Sequence, residues 1–140
     1  MKILIINGPN LNLLGKREPS VYGHQSFEEF LEQVKHQFST LEIDYFQSNR
    51  EGELIDQLHQ TENTDYQGIV LNAGGYSHTS VALADAVAAI TTPVIGVHIS
   101  NIYTREQERH TELLAQYCIG GIFGLGLQGY VSAIQALISL

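Results

Sequence analysis

Cysteine occurs once in these 140 residues, at position 118, and lysine and arginine together only seven times. A single cysteine excludes an internal disulfide framework and fits a reducing, cytoplasmic compartment. Fifteen acidic residues against seven basic ones give a net charge of −8, which speaks against nucleic acid or an anionic membrane surface as a partner. No apolar run approaches the roughly 18 residues that a membrane span needs. The chain opens on a strand-like run from Lys2, without the charged, apolar and cleavage regions of a secretory leader. Histidines stand scattered at 24, 36, 59, 78, 98 and 110, without metal-ligand spacing or a second cysteine, so a metal site is not expected. Linkers, internal repeats and low-complexity segments are absent as well.

What is present is alternation. Apolar runs at 2–7, 42–47, 68–72, 94–99 and 119–123 read as strands, separated by helical patterns at about 26–39, 52–62, 79–90, 104–117 and 127–139. The first helix carries a cap signal, Ser26 with Glu29 three residues on, and apolar Phe27, Phe30, Leu31 and Val34 at helical spacing. Strands such as Gly68-Ile69-Val70-Leu71 are apolar on both faces, as in a parallel sheet covered by helices on each side. With 44% apolar residues, the chain is expected to form one α/β domain over residues 1–140. The expected fold is a flavodoxin-like, doubly wound five-stranded parallel sheet in the order 2-1-3-4-5. Such sheets bind ligands beyond the carboxyl ends of their strands, at the switch point between strands 1 and 3. Those ends carry Asn7 to Asn12, Ser48-Asn49, Asn72 and His98-Ile99-Ser100-Asn101.

The connection after the first strand, Gly8 to Gly23, exceeds the two to six residues of an ordinary βα turn and reads as a binding loop. It holds Asn10, Asn12, Arg17 and Tyr22 among backbone-bending Gly8, Pro9, Gly15, Pro19 and Gly23. An acidic protein that binds an anion must concentrate its few cations. Arg17, Arg105 and Arg109 fall in the two most unusual segments, the last two placed on one helix face by their spacing of four. After strand 3, Asn72-Ala73-Gly74-Gly75-Tyr76-Ser77-His78-Thr79-Ser80 offers close backbone approach and a helix start that Ser77 or Thr79 would cap. Gly124-Leu125-Gly126-Leu127-Gln128-Gly129 imitates a dinucleotide fingerprint, but too few residues follow to hold a ribose, and helix–strand packing explains it.

Taken together, these segments resemble the type II 3-dehydroquinate dehydratases. The resemblance rests on Gly8-Pro9-Asn10-Leu11-Asn12-Leu13-Leu14-Gly15 with Arg17-Glu18-Pro19 and Tyr22-Gly23, and on Gln47-Ser48-Asn49 with Glu51-Gly52-Glu53. Asn72, His78-Thr79-Ser80 and Asp85, then Val97-His98-Ile99-Ser100-Asn101, Arg105, Arg109 and Gly124-Leu125-Gly126 continue it. It implies dehydration of 3-dehydroquinate to 3-dehydroshikimate without a cofactor. It also implies the catalytic set: Tyr22 as a tyrosinate base, Arg17 and Arg105 lowering the phenol's pKa, His98 as general acid, and Asn10 holding a water against an enolate. Ile99 and Ser100 would take the substrate carboxylate, with Asn72, His78 and Arg109 on its hydroxyls. Asp85 would arrive from a neighbouring subunit of a homo-oligomer, a dodecamer built of trimers.

The sequence departs from the family pattern at several points. Gly96 stands where the family usually has Glu, two residues before the catalytic histidine, and that carboxylate would lie on the same strand face as His98. Arg50, Ala73, Gly75 and Tyr103 are further departures. The alternative reading is a weakly active or inactive paralogue that binds a small hydroxy-acid as a sensor or scaffold. An FMN-binding electron carrier fits poorly, because Gly8 to Gly15 contains neither Ser nor Thr.

Overall fold

A computed structural model of the chain describes residues 1–16, 18–22 and 24–140, with the side chains of residues 21 and 22 outside the description. Five strands, β1 (Lys2–Asn7), β2 (Glu42–Gln47), β3 (Gly68–Asn72), β4 (Val94–His98) and β5 (Gly120–Phe123), form one parallel sheet in the order β2-β1-β3-β4-β5. The helices are α1 (Pro19–Tyr22), α2 (Phe27–Gln37), α3 (Glu51–Gln60), α4 (Val81–Ala89) and α5 (Gln128–Ile138). The fold is the flavodoxin-like α/β class.

Side-chain alternation along β1 divides the core. Ile3 and Ile5 pack with Phe27, Phe30, Val34, Tyr130 and Ile134 of α2 and α5. Leu4 and Ile6 pack on the other face with Leu54, Leu58, Leu83 and Val87 of α3 and α4. Each fully buried aliphatic side chain contributes about 1.5–3 kcal/mol of transfer free energy. Ser26 Oγ accepts the Glu29 N–H at 3.2 Å and starts α2 as its sequence indicates. Helix α4 begins later than expected: Ser80, not Ser77 or Thr79, accepts the Leu83 N–H at 2.9 Å. Ser77 lies instead in a 3₁₀ turn over Gly74–His78.

The segment read as a helix over 104–117 is not one. Three separate 3₁₀ turns occupy it, Ile102–Thr104, Gln107–His110 and Ala115–Tyr117. Residues 104–112 are polar throughout, so they have no apolar face to bury, and tertiary packing supplies most helix stability in proteins. The backbone is used elsewhere, with the Leu113 N–H donating to the Ser77 carbonyl at 2.8 Å. The expected helical cover over β4 and β5 is therefore missing on this side, and Phe123 and Leu125 stay exposed.

The carboxyl ends of β1 and β3 are tied from below. Asn7 and Asn72 are register partners, and the buried Tyr130 hydroxyl bridges them, accepting from Asn72 Nδ2 at 2.9 Å and donating to Asn7 Oδ1 at 2.7 Å. Gly8 then runs so close to Ala73 that a Cβ on it would lie 2.4 Å from the Ala73 oxygen, a position only glycine fills.

Replacing Tyr130 by Phe leaves two buried asparagine groups unpaired at little change in volume. The variant should lose about 1–3 kcal/mol of stability, read as a lower urea midpoint with an unchanged slope; a midpoint equal to that of the parent chain contradicts the role given to the bridge.

Candidate active site

A cavity of about 80 Å³ opens above the carboxyl ends of β1, β3 and β4. Eight of the residues singled out from sequence line it: Asn10, Asn72, His78, His98, Ile99, Ser100, Arg105 and Arg109. They come from four separated segments. The sheet edge gathers them because each lies at, or just beyond, a strand end.

The first wall is built by the loop after β1. Asn10 sits in the left-handed region, φ 70°, which asparagine tolerates better than most residues. Its N–H donates to Asn49 Oδ1 at 2.9 Å, and Gln47 Nε2 donates to the Gly8 carbonyl and to Asn49 Oδ1, both at 3.2 Å. The strand-end residues of β2 thus brace the loop rather than enter the cavity. The second wall is the turn after β3. Asn72 Oδ1 accepts the Gly74 N–H at 3.1 Å, and Gly74 adopts φ +61°, where a side chain would be strained. Asn72 is therefore as much a bracket for this turn as a group presented to a ligand.

His78 and His98 form the floor. Their rings stack with centroids 5.6 Å apart and 23° between planes. His78 Nδ1 lies 2.6 Å from the Thr111 carbonyl; a carbonyl only accepts, so the proton sits on Nδ1. Burial lowers the pKa of His98 to about 4, with the positive charges of His78 and Arg109 adding to the effect. At neutral pH, with nothing bound, His98 is neutral.

The cationic side of the cavity comes from the irregular segment after β4. Arg105 is extended rather than helical, and its guanidinium, 14% exposed, reaches Ser100 Oγ at 3.3 Å and the Glu18 carboxylate at 3.6 Å. Arg109 Nε donates to the Glu106 carboxylate. The two arginines meet at the cavity through 3₁₀ turns, not through a shared helix face, which corrects the reason for their convergence.

Asp85 does not line this cavity. It is exposed on α4, whose Leu83, Ala84, Ala86 and Val87 face the core. Arg17 and the Tyr22 side chain lie outside the described residues. Sequence reasoning missed the bracing roles of Tyr130 and Gln47, which only cross-strand neighbours could show, and it passed over Glu112. Among the described residues, no group of three or more His, Cys, Asp or Glu side chains is placed to hold a metal ion.

Residues 1–138 match the sequence pattern of the family described as dehydroquinase class II. The chain belongs to that family. Hence it is a hydro-lyase acting on 3-dehydroquinate. This dehydroquinase is 51% identical over 139 residues to a 3-dehydroquinate dehydratase of Exiguobacterium sp., covering 99% of this chain and 94% of the relative. It is 50% identical over 139 residues to the 3-dehydroquinate dehydratase of Bacillus pumilus, covering 97% and 93%. The crystal structure of a type II dehydroquinase from Butyrivibrio crossotus superposes with a TM-score of 0.95 at 42% identity, covering 99% of this chain and 97% of that one. Strand order and connections are thus shared across the whole length.

The depressed pKa of His98 has a stability consequence. Between the ordinary value of 6.5 and about 4, the unfolded chain takes up a proton that the folded chain refuses, so this contribution is present above pH 6.5 and is lost as pH falls. His98→Asn should therefore flatten the decline in stability between pH 6.5 and 4.5, followed by urea unfolding, by up to ~2 kcal/mol. An unchanged slope in that variant contradicts the assignment.

Proposed function

We propose that this dehydroquinase converts 3-dehydroquinate to 3-dehydroshikimate by anti elimination through an enolate, with Tyr22 as base and His98 as general acid. The observation that carries the reading is the meeting of Asn10, His98, Ser100 and Arg105 in one cavity at the switch edge of the sheet, in a chain of this family. Tyr22 as tyrosinate takes the C2 proton, and the released electron pair moves into the ketone to form an enolate. The enolate then collapses, the C1–O bond breaks, and the hydroxyl leaves as water with a proton from His98. One proton is taken and one given, so the net change is loss of one water.

A phenol with a pKa of about 10 is scarcely ionised at neutral pH, so the base requires cations beside it. Arg17, by family resemblance, and Arg105 serve that purpose. Asn10 holds a water against the enolate oxygen, where a polar donor stabilises the charge as it develops. Ser100 Oγ and the Ile99 N–H take the substrate carboxylate, while Asn72, His78 and Arg109 contact its hydroxyls. The arriving carboxylate brings a negative charge toward His98 and favours the imidazolium that the cavity otherwise disfavours. Substrate binding and protonation of the acid are thereby coupled.

In the same reading the enzyme acts as a dodecamer of trimers, with Asp85 donated across a subunit boundary. The exposed Asp85 and the exposed apolar side chains Tyr103, Ile119, Phe123 and Leu125 support an assembly that covers them. A cytoplasmic location accords with the lone Cys118. A second reading, a binding protein with little activity, draws on Gly96 alone. Product absorbance in the ultraviolet, followed from 3-dehydroquinate, separates the two.

Tyr22→Phe should lower kcat by at least ~10²–10⁴-fold while leaving the circular dichroism spectrum unchanged. A variant that keeps more than half the rate removes the tyrosinate assignment. The elimination needs no imine, so borohydride with substrate present should neither inactivate the enzyme nor add mass to Lys2, Lys16 or Lys35. In light scattering, the active species should be twelve times the 15.5 kDa chain mass; a fully active monomer contradicts the assembly.

A further inference from the structure

Behind the histidine floor lies a second cavity of about 200 Å³, and His98 borders both. Gly96 and Glu112 line this rear cavity. The place where a side chain at 96 would point is open: a Cβ there would meet only Cys118 Sγ, at an ordinary contact distance of 3.7 Å. Glu112 is half-buried in that space, a carboxylate that the proposed reaction does not otherwise use.

Glu112 is fixed from two sides. Its Oε1 accepts the Leu114 N–H at 3.0 Å, and the Ala115 N–H adds a second bond to the carboxylate. The preceding residue, Thr111, accepts from His78 Nδ1, so the segment that carries Glu112 also grips the ring stacked on His98. The carboxylate and the His78 ring lie close enough for attraction between their charges. Around this cluster the charged and titratable groups are His78 from the turn after β3, His98 on β4, and Tyr103, Arg109 and Cys118 on the segment between β4 and β5. Burial and the Glu112 charge push Cys118 up to about 12, so it is a neutral thiol. Glu112 is thus the carboxylate of the rear cavity among the described residues lining it.

We infer that Glu112 is a positioning residue for the acid: its carboxylate acts on His98 across the rear cavity that both line and takes over the anchoring left vacant at Gly96. The inference rests on the reading of His98 as general acid. Burial raises the Glu112 pKa above the ordinary carboxylate value, while its two N–H partners and His78 oppose that rise. Once ionised, the carboxylate favours the imidazolium of His98, while Thr111 holds the His78 ring stacked on it.

Glu112→Gln is the decisive variant, because the amide oxygen keeps the bond from Leu114 while the charge is lost. We expect kcat to fall about tenfold, KM to change less than twofold, and the alkaline limb of the kcat profile to move to lower pH. Adding Gly96→Glu to Glu112→Gln should restore most of kcat and return the limb, since a carboxylate then reaches the same cavity from the strand. A Glu112→Gln enzyme with parental kcat and pH profile overturns the inference. Loss of thermal stability with no pH shift also overturns it and leaves Glu112 as a cap on the Ala115–Tyr117 turn. His98→Gln, measured alongside, isolates the underlying assignment: an active His98→Gln enzyme removes the acid itself, whereas an inactive one with an unaffected Glu112→Gln enzyme removes only the role of Glu112.

Discussion

The bridge made by the Tyr130 hydroxyl between Asn7 and Asn72 is the constraint on which the site depends. Two adjacent parallel strands end at the same level because their asparagines are register partners, and a buried phenol satisfies one donor and one acceptor between them. A buried polar group without a partner costs free energy comparable to the bond it lacks. The sheet edge is thereby held at one position, and both loops that leave it, after Asn7 and after Asn72, start from fixed points. Burial raises the Tyr130 pKa far above that of a free phenol, so the hydroxyl remains protonated and able to donate.

From that edge the site is assembled by backbone contacts. Gly8 donates its N–H to the Asn72 carbonyl at 2.7 Å, which brings the loop after β1 against the turn after β3. Asn49 and Gln47 hold the outer side of the same loop. The irregular segment after β4 then closes over the front with Arg105 and Arg109. Its three 3₁₀ turns do what a helix could not: they let Arg105 lie extended toward Ser100 while Thr111 reaches back to His78.

The electrostatics of the cavity are those of a receptor for an anion. Arg105 and Arg109 line the cavity with two half-buried histidines, and burial, His78 and the Arg109 charge oppose protonation of His98 until a negative group arrives. In the proposed elimination, an acid that acquires its proton together with the substrate is spared a permanently buried charge in the empty state, which would cost several kcal/mol unless paired.

Much of this was legible in the chain. Period-two and period-3.6 patterns located five strands and four of the five main helices, because burial on both sheet faces imprints continuous apolar runs and amphipathic stripes. The loop after β1 and the polar strand ends named most of the cavity lining, since a doubly wound sheet places its ligand at those ends. The segment 104–117 was misread because its residues have good helix propensity but no partner for a packed face, and propensity yields to tertiary contacts. Nor could any pattern along the chain show that Tyr130 bridges strands 58 and 123 residues away in sequence, or that Glu112 lines the same cavity as Gly96. The sequence by itself determined the layers of the fold and the kinds of group at its edge, because periodicity and residue type are local properties. The tertiary structure alone decided which of those groups brace, which face the cavity and which charges meet, because hydrogen bonding and desolvation depend on neighbours brought from far along the chain.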